Sequence, residues 1–133
     1  MRQNMKRIAI IDDDFDITES IEAVLKSHGY ETFVAHNIFE GEKIVTEQNP
    51  DLVILDVMME EPDDGFFLAR KLRKGGFNKP ILMLSSVAKA IGFDYNSNEI
   101  APVDEFLEKP ISPKQLIETI QEFLPDGGKN ASD

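Results

Sequence analysis

Several residue types that would support other kinds of protein are absent or scarce in this chain of 133 residues. It has no cysteine, which excludes disulfide scaffolds, thiolate zinc sites and cysteine nucleophiles and suits a reducing cytosol. Glycine and proline number only 8 and 7, and there is no repeat, so a fibrous or low-complexity protein is excluded. No apolar run approaches the roughly 18 residues of a membrane span.

Positive charge is scarce as well. The chain has 14 lysines and arginines against 25 aspartates and glutamates, which gives a formal net charge of −11. Such a surface repels the phosphate backbone of nucleic acids and anionic lipid headgroups. We therefore expect a cytoplasmic protein that binds neither nucleic acid nor membranes directly.

Short apolar runs alternate with segments of helical spacing along the chain. Five runs have the length and composition of strands, at 8–11, 32–35, 52–55, 81–84 and 104–108. Between the first two, Ile17, Ile21, Val24 and Leu25 recur as one face of a helix that ends at Gly29. This alternation predicts an α/β fold, a doubly wound parallel sheet of five strands with helices on both faces.

The helices that follow the first are predicted with their caps and inward faces. Asn37 and Ser112 are the expected N-caps of the second and last helices, the latter with Pro113 at its first position. The residues expected to face inward are Phe39, Ile44 and Val45 in the second helix, Phe66, Phe67, Leu68 and Leu72 in the third, and Leu116, Ile117, Ile120, Phe123 and Leu124 in the last.

Two regions depart from this regular pattern. Segment 87–103 is rich in turn-forming residues and has one plausible helical turn, so we expect a fourth helix that is short or irregular. Residues 125–133 are polar and glycine-rich, and we expect a flexible tail. The predicted domain is therefore 1–124.

Polar residues follow four of the five predicted strands. They are Asp12, Asp13 and Asp14 after the first, Asp56 after the third, Ser85 and Ser86 after the fourth and Lys109 after the fifth. Because parallel strands share one carboxyl edge, we expect these side chains to meet there. Crowded carboxylates suit a hard cation such as Mg²⁺, and a lysine and a hydroxyl suit a phosphoryl group. Asp56 is then a candidate nucleophile that forms an aspartyl phosphate.

Because of these residues at the strand ends, the sequence resembles the response-regulator receiver domains of two-component signalling over about residues 6–124. Four segments carry the resemblance, in order: IAIIDDD at 8–14, LVILDVMM at 52–59, MLSS at 83–86 and FLEKP at 106–110. The resemblance implies a flavodoxin-like (βα)5 fold, like that of the chemotaxis regulators. It also implies a phosphorylation-controlled switch in a phosphorelay rather than an enzyme that turns over an outside substrate.

The resemblance assigns a phosphorylation site. It implies that Asp56 accepts a phosphoryl group from a phosphohistidine on a sensor histidine kinase or a phosphotransfer protein. Asp12, Asp13, Asp56 and the backbone carbonyl of Met58 would bind Mg²⁺ as the cofactor. Ser85 would hydrogen-bond to the phosphoryl oxygens and Lys109 would pair with them.

The resemblance also implies how the signal leaves the site. Phe106 stands at the position of an aromatic switch that turns inward when Ser85 moves, which would alter a surface read by an unidentified downstream protein. The bond between Lys109 and Pro110 is typically cis in the family. The loop after Asp56 departs from the family pattern, because it has one extra residue and Glu60 replaces a common proline.

Plainer interpretations of the same residues stay open. The acidic run could complement the positive end of the first helix, and Asp56 could be a cap. Lys109 alone would be a surface residue, Ser85 a turn residue and Phe106 part of the core. The acidic loop at 60–64 is expected to be solvated, His28 to complement a helix end and His36 to be a loop residue.

Two rival functions remain besides the receiver. One is a receiver-like adaptor that binds partners without being phosphorylated. The other is a phosphatase of the haloacid-dehalogenase type, whose Asp-x-Asp-x-Thr signature matches residues 14–18, with Asp14 as its nucleophile. The intervening Asp12 and Asp13, and the lack of a late acidic motif, argue against the phosphatase.

Overall fold

The computed structural model describes residues 5–61, 63–85 and 103–125, in which strands and helices alternate. The strands are β1 (Arg7–Ile11), β2 (Glu31–Ala35), β3 (Leu52–Asp56), β4 (Ile81–Ser85) and β5 (Glu105–Glu108). The helices of these residues are α1 (Phe15–Ser27), α2 (Ile38–Gln48), α3 (Asp64–Lys74) and α4 (Pro113–Phe123). The five predicted strands are thus confirmed to within one residue at either end. The predicted irregular helix lies outside the described residues, as does the tail beyond residue 125.

The five strands form one parallel sheet in the order β2-β1-β3-β4-β5. The chain moves outward from β1 to β2 on one side, and then returns to place β3, β4 and β5 on the other. The predicted doubly wound sheet is confirmed. The direction of winding changes between β1 and β3, and the crevice at such a point is where sheets of this kind bind their ligands.

The core has two layers, one on each face of the sheet. Alternate residues of β1 serve different layers, with Ile8 and Ile10 in one and Ala9 and Ile11 in the other. β3 and β4 are buried along their whole length, as expected for central strands covered by helices on both faces. These strands therefore end inside the protein, and any polar group at their carboxyl ends is shielded from water.

The caps of α2 and α4 are confirmed. The side chain of Asn37 accepts a hydrogen bond from the backbone nitrogen of Glu40 at 2.8 Å, and Ser112 Oγ accepts one from Gln115 at 3.1 Å. Pro113 is the first residue of α4, as predicted. Short polar side chains at these positions satisfy first-turn N–H groups that have no partner within the helix.

Two predictions of inward-facing residues are wrong. Phe39 is 84% exposed, because α2 packs through Gly41 and Val45. A residue two positions before Gly41 lies about 200° around the helix axis and so faces away from the sheet. Phe67 is also exposed, because α3 packs through its neighbours Phe66 and Leu68 and turns Phe67 to the outside. The ring of Phe67 lies 5.9 Å from the ammonium of Lys71.

None of the helices in the described residues combines the length and the hydropathy needed to cross a bilayer.

Candidate functional site

Four strands and the segments that follow them converge on one pocket at the carboxyl edge of the sheet. Asp12 follows β1, Asp56 ends β3, Ser85 ends β4 and Lys109 follows β5. These residues line a pocket of about 150 Å³ together with Asp13 and Met58. The predicted convergence of these side chains is what the structure shows. Phe106 is absent from the lining of this pocket.

Lys109 connects the two buried carboxylates of the pocket. Its Nζ lies 3.0 Å from Asp12 Oδ2 and 3.1 Å from Asp56 Oδ1. Asp12 and Asp56 are only 1% and 4% exposed, so neither charge is well hydrated. A buried carboxylate without compensation is strongly unfavourable, and here a single ammonium serves both. Lys109 is therefore a structural counter-charge as well as a candidate ligand for phosphate.

Asp12 uses its two oxygens differently. Oδ1 accepts a hydrogen bond from the backbone nitrogen of Asp14 at 2.9 Å, which fixes the turn between β1 and α1. Oδ2 is close enough to Lys109 for an ion pair but has no aligned hydrogen bond, although it is buried. A buried oxygen in this condition has lone pairs left for another positive ligand.

The environment of Asp56 favours its neutral form. Burial is the main cause, and the charge of Asp12 adds to it, so that the pKa of Asp56 is raised from 3.8 to about 6 even though Lys109 opposes the change. Burial alone would lower the pKa of Lys109, but the two carboxylates outweigh it and raise that pKa. At neutral pH Asp56 is therefore mostly ionised, although its surroundings disfavour the negative charge.

Replacing Asp56 with asparagine should stabilise the metal-free protein at high pH. Because the pKa of Asp56 is higher in the folded than in the unfolded protein, its protonated form favours folding. This stability is fully present below about pH 4 and is lost as pH rises through about 6. The difference between 3.8 and about 6 corresponds to about 3 kcal/mol, which Asp56→Asn should recover at pH 8. Urea unfolding of both proteins in chelator, from pH 4 to pH 8, measures it.

The pH dependence of the difference in unfolding free energy between the two proteins is the control. The advantage of Asp56→Asn should be small near pH 4, grow between pH 4 and 6, and stay constant above pH 7. Asp14→Asn, which changes an exposed carboxylate of the same pocket, should show no such profile. An Asp56→Asn advantage that is equal at pH 4 and pH 8 would contradict the burial argument.

The donor set fits a hard divalent cation. Asp12, Asp13 and Asp56 each offer a carboxylate oxygen, and these oxygens lie within 4.8 Å of one another. Oxygen ligands in this number, with room for water, are what Mg²⁺ prefers. The buried Oδ2 of Asp12 is the second observation in favour of a cation. The expected contribution of the Met58 backbone carbonyl stays a prediction.

Phe106 packs against the core on one face of the sheet. It is half-buried, and its ring centre is 6.2 Å from that of Phe66 in α3. Strand pairing places Phe106 opposite Met83, two residues before Ser85 on β4. Its switching role stays a prediction. The Lys109–Pro110 peptide bond is cis, as expected from the resemblance.

The interpretation that the acidic run complements the start of the first helix is right for Asp14. Its side chain accepts hydrogen bonds from the backbone nitrogens of Asp16 and Ile17, so it is the N-cap of α1. Asp12 is instead buried and paired with Lys109. The run thus has two functions, which the sequence could not separate because its three members are identical.

His36 has contacts that its interpretation as a loop residue missed. Its ring stacks on Phe15 with centroids 3.7 Å apart, and its Nε2 lies 3.2 Å from Thr18 Oγ1. Thr18 donates its own hydrogen to the carbonyl of Phe15, so His36 is the donor to Thr18. His36 therefore holds the first turn of α1, directly after the aspartates. Phe15 and Thr18 precede His36 by 18 or more positions in the chain, so no local pattern of residues indicates these contacts.

The acidic loop after β3 is largely exposed in its described residues. Among the described residues, Asp12, Asp13 and Asp56 form the one cluster of three potential ligands. Glu60, Glu61 and Asp63 are exposed, and the side chain of Asp64 accepts a hydrogen bond from the nitrogen of Glu61 at 2.9 Å. The prediction of a solvated loop therefore holds for these residues.

Comparison with protein families decides the identity of the domain. The family model of the response regulator receiver domain matches residues 8–121. The chain belongs to this family. Receiver domains are in general signalling switches of two-component systems that are controlled by phosphorylation, not classical enzymes, and they generally use Mg²⁺. The match gives no support to the haloacid-dehalogenase alternative.

Individual relatives of this receiver agree with the family. The response regulator MprA of Mycobacterium ulcerans is 34% identical over 122 residues, which are 89% of this chain and 50% of the relative. The chain thus spans about half the length of the curated relatives it matches. MprA of Mycobacterium avium shows the same identity and coverage.

Solved structures of other receivers have the same fold. A signal receiver domain from Bermanella marisrubri superposes with a TM-score of 0.78 at 30% identity, over 90% of this chain and 98% of that one. A CheY-like receiver domain protein from Methanospirillum hungatei gives 0.76 at 28% identity, over 92% and 95% of the two chains.

Proposed function

We propose that this receiver accepts a phosphoryl group on Asp56 from a phosphohistidine of a sensor histidine kinase or a phosphotransfer protein, and that it works in the cytoplasm. The observation that carries the proposal is the bridge that Lys109 makes between Asp56 and Asp12 at the buried end of two neighbouring strands. A lysine beside two buried carboxylates gives an accepting oxygen and a fixed positive charge in one pocket.

The chemistry of the proposed transfer needs an ionised Asp56. A pKa of about 6 leaves the carboxylate mostly ionised at cytoplasmic pH, so an oxygen of Asp56 can attack phosphorus. As the new O–P bond forms, the P–N bond to the donor histidine breaks and the imidazole recovers its electron pair. Lys109 is already in place to offset the charge that develops on the phosphoryl oxygens.

The proposed metal ligands are Asp12, Asp13, Asp56 and the backbone carbonyl of Met58. When bound, Mg²⁺ supplies positive charge beside the phosphoryl oxygens and orients them for in-line transfer. Asp13 is exposed at the mouth of the pocket, whereas Asp12 is buried at its base. Asp12 would therefore hold the ion from within the protein and Asp13 from the exposed side of the pocket, through which the phosphoryl donor would approach.

The proposed output begins with a competition for Lys109 and Ser85. Phosphorylation adds about −1.5 to −2 charges, and this third anion would draw Lys109 away from Asp12. The Ser85 hydroxyl, which lines the same pocket, would move to donate to a phosphoryl oxygen. Space released near β4 would then admit Phe106, whose strand pairs with β4, and a downstream protein would read the altered surface.

Acetyl phosphate with Mg²⁺ provides the test, because it supplies a phosphoryl group without a kinase. Intact-mass analysis should show one phosphoryl adduct that requires Mg²⁺ and is abolished in Asp56→Asn. Asp14→Asn should keep the adduct, because Asp14 caps α1 and is exposed.

The same measurement separates the alternatives. No adduct on a folded wild-type protein would overturn the proposal in favour of an adaptor that acts without phosphorylation. Turnover of a phosphomonoester that is lost in Asp14→Asn but kept in Asp56→Asn would be the result expected of a phosphatase.

A further inference from the structure

The chain contains few side chains that oxidants attack readily. It has no cysteine and no tryptophan, so its 5 methionines are the most easily oxidised groups. Four of them lie in the described residues. Met5 and Met58 are 40% and 39% exposed, whereas Met59 and Met83 are 8% and 0% exposed. Oxidants in solution should therefore reach the first two and spare the other two.

The two exposed methionines differ in position. Met58 lines the pocket of Asp56, Ser85 and Lys109. Met5 precedes β1, whose residues 7–11 run from the opposite edge of the sheet toward the pocket. At about 3.3 Å for each strand residue, Met5 is more than 15 Å away along the strand axis. Met58 is thus the one described methionine that is both exposed and part of the site.

We propose that Met58 is a reversible oxidation site through which peroxides shorten the life of the phosphorylated state. The sulfur lone pair attacks one oxygen of hydrogen peroxide, the O–O bond breaks, and methionine sulfoxide and water form. Sulfur loses two electrons and the peroxide gains them, so the reaction is balanced without another reactant. Methionine sulfoxide reductases reverse the change.

The effect on phosphorylation follows from the change in polarity, and it rests on the proposed function of Asp56. The thioether is apolar and a weak hydrogen-bond acceptor, so the unmodified Met58 side chain gives the pocket no group that can orient a water molecule. A sulfoxide oxygen on this lining residue would be a strong acceptor that can hold a water molecule for attack on phosphorus. We expect hydrolysis of the aspartyl phosphate to become about tenfold faster, the rate equivalent of one net hydrogen bond.

The site of oxidation is tested first, without any phosphorylation. The folded protein is treated with a series of hydrogen peroxide concentrations, quenched and digested, and each methionine is followed by peptide mass spectrometry. Met58 and Met5 should oxidise at similar rates, and Met59 and Met83 much more slowly. Oxidation of Met58 no faster than that of its buried neighbour Met59 would overturn the proposal.

The link to phosphorylation is tested by comparing each protein with its own untreated sample. After peroxide treatment and removal of the peroxide, the protein is phosphorylated with acetyl phosphate and Mg²⁺, freed of donor, and its adduct followed over time by intact mass. Decay should accelerate in the wild type and in Met5→Leu, and should not respond in Met58→Leu, whatever its starting rate. A sulfoxide reductase should restore the slow decay.

Three outcomes would overturn the proposed effect of Met58 oxidation on the lifetime of the aspartyl phosphate. They are an unchanged decay rate in oxidised wild type, an equal response in Met58→Leu, and a loss of the response in Met5→Leu. Failure of the proposed function is recognised separately, because it appears as the absence of an adduct before any peroxide is added. That result would remove the link to phosphorylation, and the peptide mapping would still decide whether Met58 is the oxidation site.

Discussion

Replacement of Gly65 with alanine should lower the free energy of unfolding by about 3 kcal/mol or more. A Cβ at this position would lie 2.2 Å from the carbonyl oxygen of Asp56 and 2.7 Å from the Cα of Val57. Both are backbone atoms, so no rotation of a side chain can relieve the clash. The close approach exists because Gly65 donates a backbone hydrogen bond to Val57 at 2.7 Å, which seats α3 against the end of β3.

Gly75→Ala is the matched control at the other end of the same helix. Among the described residues the atom nearest to its Cβ would be 3.5 Å away, and its φ of −79° suits alanine. This variant should be neutral or more stable by up to about 1 kcal/mol, because alanine restricts the unfolded chain. Urea unfolding of both variants measures the contrast. Equal stability of Gly65→Ala and Gly75→Ala would show that α3 can move away from β3 freely.

The clash at Gly65 also concerns function. The atoms that would have to move belong to Asp56 and Val57, the end of the strand that presents the proposed phosphorylation site. Gly65→Ala should therefore slow adduct formation even in the fraction that folds. The sequence contains the glycine but not this reason for it, because the contact lies across the loop after β3.

Replacement of Lys109 with methionine should lower the free energy of unfolding by about 3 kcal/mol at pH 8. The change keeps a long side chain but removes the ammonium that lies 3.0 Å from Asp12 and 3.1 Å from Asp56. Two buried carboxylates would then face each other without a counter-charge. Metal-free conditions are needed, because a bound cation would take over part of the role of Lys109.

Two comparisons test this explanation. Lys79→Met removes a lysine that is 3.9 Å from Asp51 and well exposed, and it should change stability by less than about 1 kcal/mol. In the Asp56→Asn background, Lys109→Met should be markedly less destabilising, because one of the two carboxylates is gone. An equal loss in both backgrounds would mean that the charge of Asp56 contributes nothing to the effect, and would contradict this explanation.

The sequence by itself determined the elements and the edge of the sheet at which chemistry takes place. Apolar runs of four or five residues mark strands, and Asn37 and Ser112 mark helix starts, because these signals are local and depend on neighbours in the chain. The parallel direction of the strands then requires Asp12, Asp56, Ser85 and Lys109 to share an edge. The four segments that carry the family resemblance could be found for the same reason.

Only the tertiary structure decided how those elements are turned and paired. The rotation of α2, set by the contact of Gly41 with Ile11, exposes Phe39, and hydrophobicity alone wrongly predicted it as core. The contact of His36 with Phe15 joins residues distant in the chain. The same is true of the charges: one lysine serves two aspartates, and the pKa of Asp56 rises because burial and a neighbouring carboxylate act together. Such effects depend on distances between strands, which no local pattern of residues specifies.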